Sequence, residues 1–138
     1  MKQGPGACVC ATLRKATRSV TQIYDAALRP TGLRATQFHI LAELHGSEAT
    51  VGQLARRAVL DQTTLTRGLA LLERDGLIRA VPKPDGRLRS VALTRKGRNT
   101  LARALPLWSG AQQHVVAALG APAWVAMSAK LDKLARLS

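Results

Sequence analysis

Aromatic residues, acidic residues and cysteine are all scarce in this chain. One Phe, one Tyr and two Trp are the only rings among 138 residues, too few for the base-stacking platforms of single-strand and many RNA binders. Double-stranded nucleic acid is the partner this shortage leaves open. Two Cys cannot build a disulfide framework, which favours a reducing compartment, the cytoplasm, over secretion. Met1 to Gly6 shows no apolar run before a small-residue cleavage site, so no signal peptide is expected. The longest uncharged stretch, Ala104 to Ala129, contains Pro106, Gly110, Gln112, Gln113, His114, Gly120 and Pro122. It reads as buried protein and gives no reason to expect a membrane partner. His39, His45 and His114 are dispersed and no CxxC or HxxxH pair occurs, so neither a metal nor another cofactor is expected. No nucleophile with its base, Gly-rich phosphate loop or carboxylate pair stands out, which disfavours an enzyme.

What the chain has in excess is positive charge. Lys and Arg number 21 against 8 Asp and Glu, a formal net charge of +13, more than solubility requires and a sign of an acidic partner. Val51 to Arg98 supplies +7 of it. Within that segment Arg79, Lys83, Arg87, Arg89, Arg95, Lys96 and Arg98 face Asp85 alone between Gly76 and Arg98. A membrane-surface helix would need these charges opposite an apolar stripe, but Pro82, Pro84 and Gly86 break any helix there.

The apolar pattern is helical. Leu13, Ala16, Val20, Ile23 and Ala27 form one stripe of a first helix that ends before Pro30-Thr31-Gly32. Thr36 is placed to cap a second, short helix carrying Phe38, Leu41 and Leu44 up to His45-Gly46. Gly52 to Arg57 predicts a third helix, and Asp61 caps a fourth whose Leu65, Leu69 and Leu72 face inward until Asp75-Gly76. The opposite side of that fourth helix shows Gln62, Thr63, Thr64 and Arg67, short hydrogen-bonding groups and a guanidinium suited to base edges in a major groove.

Leu77 to Val81 and Leu88 to Leu93 read as a hairpin around Pro82-Lys83-Pro84-Asp85-Gly86-Arg87. A hairpin directly after a helix-turn-helix is a wing. Lys83, Arg87 and Arg89 can reach phosphates or the minor groove, with Arg87 the best placed to insert. Asp85 either pairs with a nearby Arg or serves the turn geometry. Thr94 caps a fifth helix to about Leu119, bent near Pro106, and Pro122 opens a sixth with Trp124, Met127, Leu131 and Leu134 as its stripe. The first, fifth and sixth helices offer more apolar surface than a small winged unit can cover, so a homodimer is expected.

The resulting fold class is mainly α with a small β-hairpin wing: a winged helix-turn-helix flanked by dimerisation helices. Residues 1–33 form the N-terminal dimerisation helix, 34–94 the DNA-binding region and 95–138 the C-terminal dimerisation helices of one compact domain. Four segments in this order resemble the MarR family of bacterial regulators: Thr36-Gln37-Phe38 with Leu41 and Leu44; Leu65-Thr66-Arg67 through Leu72 to Ile78; Asp85-Gly86-Arg87; and Leu93-Thr94-Arg95-Lys96-Gly97. The resemblance implies an obligate homodimer on a palindromic operator, usually a repressor, released by a small molecule or an oxidant. It maps DNA contacts onto Thr63, Thr64, Thr66, Arg67 and Arg87, and an effector cleft onto Phe38, His39 and Trp108. The family's hydroperoxide-sensing branch has a reactive Cys near the start of the first helix and a Tyr fourteen residues later, as Cys10 and Tyr24 stand here. Further tyrosines of that branch have no counterpart. Cys8 and Cys10, two residues apart, face different directions and are poorly placed to bridge each other. A thiol-based oxidant sensor and a nonspecific basic nucleic-acid-binding structural protein are the alternatives.

Overall fold

The computed structural model describes residues 4, 7–82, 84 and 90–138. Lys83, Asp85, Arg87 and Arg89, expected from the sequence to contact DNA, therefore lie outside the described residues. Helix α1 spans Val9–Leu28 and runs into a short 3-10 turn, Arg29–Thr31. Then follow α2 (Ala35–Glu43), β1 (Ala49–Thr50), α3 (Val51–Ala58), α4 (Gln62–Arg74), β2 (Ile78–Val81), β3 (Ser90–Leu93), α5 (Arg95–Leu119) and α6 (Ala121–Ala135).

Local hydrogen bonds explain most of these boundaries. Thr50 Oγ1 accepts the Gln53 N–H at 3.1 Å while Gln53 Oε1 accepts the Thr50 N–H at 2.9 Å, a reciprocal cap that starts α3 one residue before the position expected. Thr94 Oγ1 accepts the Gly97 N–H at 3.0 Å and starts α5. Helix α4 stops where Gly76 takes φ 74°, which lets Leu77 donate its N–H back to Leu72 at 2.9 Å. Helix α2 corrects the sequence reading, because Thr36 lies inside it and Arg34 holds the cap position. Gln37 Oε1 takes the Arg34 N–H, and Asp25 of α1 takes the Ala35 N–H at 2.7 Å. A side chain from another helix thus sets this end.

The hairpin is present as antiparallel β2 and β3, with Ile78 opposite Leu93 and Val81 opposite Ser90. It gains an edge that the sequence pattern did not show: β1 pairs with β3, Ala49 opposite Val91, giving the order β1-β3-β2. Helix α5 runs on through Pro106. The carbonyl this proline deprives of a donor belongs to exposed Ala102, where water can replace the lost bond.

The core is aliphatic. Leu28, Ile40, Leu41, Leu44, Leu54, Leu65, Leu72 and Leu101 are fully buried, so α2, α3 and α4 close against the ends of α1 and α5. The far ends of the long helices differ. Of α1 only Leu28 is buried and of α6 nothing is, while Val9, Leu13, Leu119, Val125, Leu134 and Leu137 remain exposed. Between α1, α5 and α6 lies a cavity of about 300 Å³ lined by Leu13, Val20, Val116, Trp124, Met127 and Leu131, among others. No single described helix is long and apolar enough to cross a membrane; α5 and α6 meet at 99°.

The turn between α3 and α4 carries a strained residue. Val59 has φ 51° and ψ 45° and is 83% exposed. A β-branched side chain in the left-handed region costs about 1–2 kcal/mol, and this one packs too little to offset it. Val59→Asn is expected to raise the thermal midpoint by a few degrees, since Asn tolerates this conformation without glycine's entropy. A lower midpoint would show that the valine makes a contact that outweighs the strain.

Candidate nucleic-acid interface and the adjoining cleft

Helix α4 divides cleanly. Leu65, Gly68 and Leu72 are buried, whereas Gln62, Thr63, Thr64, Thr66 and Arg67 are exposed. Gly68 faces α2, where a Cβ on it would stand 2.8 Å from the far end of the Ile40 side chain, Cδ1. Gln62, Thr63, Thr66 and Arg67 together line one shallow concavity of about 390 Å³ at the N-terminal end of the helix. The structure brings these four together and ties the fifth to the cap. Thr64 donates its backbone N–H to Asp61 Oδ2 at 3.4 Å, and its side chain hydrogen-bonds the same carboxyl.

That cap holds the Asp61 carboxyl below the usual carboxylate range, chiefly through the side-chain hydrogen bond from Thr64, with the Arg67 charge as a lesser cause. A depressed folded value means that the ionised cap stabilises the fold fully above the ordinary carboxylate pKa and loses that contribution as pH falls through the folded value. Asp61→Ala is therefore expected to melt below wild type at pH 7, with the gap narrowing once pH drops below 3.8. Asp61→Asn, which keeps an acceptor that does not titrate, should recover most of the loss at pH 7. An Asp61→Ala gap that stayed constant down to pH 3 would show that ionisation plays no part.

The basic segment separates in the same way. Lys96 Nζ donates to the Asp75 carbonyl at 2.9 Å, closing the C-terminal end of α4, and Arg98 Nη1 reaches the Leu93 carbonyl at 3.3 Å. Both are spent on the frame. Arg74 pairs with Asp75 at 3.1 Å. Arg79 on β2 and Arg95 at the start of α5 stay exposed.

On the other side of α2 lies a cleft of about 380 Å³ lined by Tyr24, Ala35, Phe38, His39, Ala42, Glu43, Leu105 and Trp108. Phe38 and Trp108, expected at an effector site, stack with ring centroids 5.8 Å apart and planes at 19°. His39, also expected there, has its Nε2 at 4.0 Å from Glu43 Oε1, one turn further along α2. Glu43 and Leu105 escaped the sequence reading. For Glu43 a signal existed, its i+4 spacing from His39.

Tyr24, read from the sequence as a redox residue, lines this same cleft. Its hydroxyl donates to Gln112 Oε1, and partial burial pushes its pKa up, keeping the phenol neutral. Cys10 lies fourteen residues earlier on the same helix, roughly 21 Å away along the axis. Cys8 and Cys10 are both free and exposed, and Arg14 Nη2 approaches Cys10 Sγ at 3.6 Å.

Comparisons with known proteins agree with this architecture. The MarR family profile matches residues 31–88, which take in α2, β1, α3, α4 and β2. An uncharacterized HTH-type transcriptional regulator of Bacillus cereus is 29% identical over 102 residues, 73% of this chain and 68% of its own. The M. tuberculosis transcriptional regulator MosR, crystallised with DNA, is 41% identical, covers 94% of this chain with 99% of its own, and superposes with a TM-score of 0.78. The transcriptional repressor CouR, bound to a 23-mer DNA duplex, is 26% identical over 99% of both chains with a TM-score of 0.85. A helix-turn-helix and hairpin set between long terminal helices, the family profile, and 41% identity with MosR across nearly the whole chain lead to one conclusion: the chain belongs to the MarR family.

Proposed function

We propose that this protein is a homodimeric, sequence-specific DNA-binding transcriptional regulator of the bacterial cytoplasm, a repressor released by a small molecule held in the cleft beside α2. The observation that carries the reading is the exposed face of α4, where Gln62, Thr63, Thr66 and Arg67 share one concavity over a buried leucine face. Such a face suits a major groove, with Arg87 on the wing reaching the minor groove and Lys83 and Arg89 on phosphates. MosR and CouR, both solved on DNA, support the partner. The uncovered apolar ends of α1 and α6 support the dimer, since two copies can bury in each other what one leaves exposed. A two-fold dimer then places its recognition helices on half-sites roughly 34–36 Å apart.

Sequencing the fragments that the protein retains from a genomic pool, across a salt titration, tests this. Enrichment of one palindrome is the expected result. Uniform retention that vanishes steeply with salt would leave only a nonspecific basic binder.

The guanidinium of Arg14 beside Cys10 favours a second reading, release by oxidant. Operator binding lost on mild peroxide treatment, with the loss surviving Cys8→Ser but not Cys10→Ser, would establish it. Indifference to peroxide would leave the thiols incidental.

A further inference from the structure

We propose that the ligand of the cleft beside α2 is a planar aromatic cation. The inference rests on the reading of that cleft as the effector site, and adds the chemical class.

The chain's rings are concentrated there. Of its one Phe, one Tyr and two Trp, three line this single cleft: Tyr24, Phe38 and Trp108. The Tyr24 hydroxyl is spent on Gln112, so the residue offers the cleft chiefly its ring. A volume of about 380 Å³ walled by stacked rings suits a flat ligand of two or three fused rings.

Its charge is the reverse of the molecule's. The chain holds 21 Lys and Arg, yet none lines the cleft among the described residues, and its one formal charge is the carboxylate of Glu43. Glu43 is also the last residue of α2, so the partial negative charge of that helix end adds to its own. The other polar side chain beside Glu43 in the cleft is the half-exposed His39 imidazole, its Nε2 at 4.0 Å. A cation over these rings gains ring-face attraction as well as the carboxylate. An aromatic carboxylate would meet Glu43 and the helix end with no guanidinium to hold it.

A trio sharing one ring system isolates the charge: 9-(aminomethyl)anthracene as cation, 9-anthracenemethanol as neutral form and 9-anthracenecarboxylate as anion. Each is titrated calorimetrically into the full chain, without DNA, at near-physiological salt and mildly alkaline pH. The protein's net charge of +13 draws anions to its surface generally, so a preference for the cation has to arise locally. The amine is expected to bind about tenfold more tightly than the carboxylate, a difference of about 1.4 kcal/mol. Glu43→Gln should remove most of that preference and leave the alcohol's affinity unchanged. Trp108→Ala, checked for an intact thermal melt, should weaken all three; Trp108→Phe, which keeps a ring, should weaken them less. Binding that depends on Trp108 but prefers the carboxylate, or an amine affinity indifferent to Glu43→Gln, would overturn the charge assignment and leave the effector site standing. No Trp108-dependent binding by any of the three would overturn both.

Discussion

Gly97→Ala is expected to lower the thermal midpoint by about 10 °C, the effect of roughly 3 kcal/mol in a chain of this size. A Cβ at this position would stand 2.0 Å from the Leu77 carbonyl oxygen and 2.9 Å from its carbon. The clash is with backbone at a crowded joint. The Leu77 carbonyl already accepts the Thr94 N–H at 3.1 Å, its N–H is tied to Leu72, and Thr94 Oγ1 donates to the Gly76 carbonyl. The end of α4, the entry to the hairpin and the start of α5 are fastened at this point, so a shift that relieves the methyl group breaks a cap or a turn. Two other glycines supply controls with the same added atom. At Gly68 the new methyl meets only the far end of Ile40, which can move, so Gly68→Ala should fall close to wild type. Gly110 in α5 has nothing within 4 Å of its absent Cβ, and alanine there should stabilise by roughly 0.5–1 kcal/mol through helix propensity. Melts at one fixed protein concentration keep any dimerisation constant. A Gly97→Ala protein melting within 2 °C of wild type would show that the joint yields more easily than its hydrogen bonds suggest.

How far this architecture could be read from the residues depends on whether its determinants are local. Asp61 and Thr94 cap the helices they were expected to cap, because a cap needs only its own residue and the amide three positions on. Leu65 and Leu72 are buried as their spacing requires. Thr36 failed as a cap because Asp25, from another helix, fixes the start of α2. Strand β1 was invisible because two residues carry no alternation, and its partner Val91 lies far along the chain. The stripe of α1 was legible but its burial was not: Leu13 and Ala16 are exposed over an open groove, which the periodicity of one chain cannot reveal. Composition named the site face of α4, yet only the packing shows that Thr64 serves the cap while its neighbours face the concavity. In the cleft, Phe38, His39 and Trp108 were legible through the family resemblance. Glu43 was marked only by its i+4 spacing from His39, and nothing local says that its carboxylate faces the cleft rather than solvent.

Replacing Arg67 or Thr63 by Ala should cost the most in DNA binding, because a homodimer presents each side chain twice. One base-edge contact is worth about 1–3 kcal/mol, so a substitution that removes it from both half-sites costs roughly 2–6 kcal/mol, at least about thirtyfold in Kd. The loss should be confined to the operator. On a scrambled duplex Thr63→Ala should bind as wild type does, since phosphate contacts carry nonspecific binding. Lys83→Ala, if the proposed phosphate contact holds, should weaken both duplexes alike and flatten the salt dependence by about one unit per protomer. Arg67 has a charge as well as a fork of donors, so salt separates its two possible roles. As a base reader it loses operator affinity with little change of slope, and as a phosphate contact it behaves like Lys83. Thr64→Ala, which keeps the capping N–H but removes the side-chain hydrogen bond to Asp61, should cost less than Thr63→Ala on the operator and show part of its effect in the thermal melt. Fluorescence anisotropy of the four variants on both duplexes, at two or more salt concentrations, measures all of this. Equal losses on operator and scrambled DNA for Thr63→Ala would remove it from the reading face, and with it the assignment of α4 as the helix that selects the sequence.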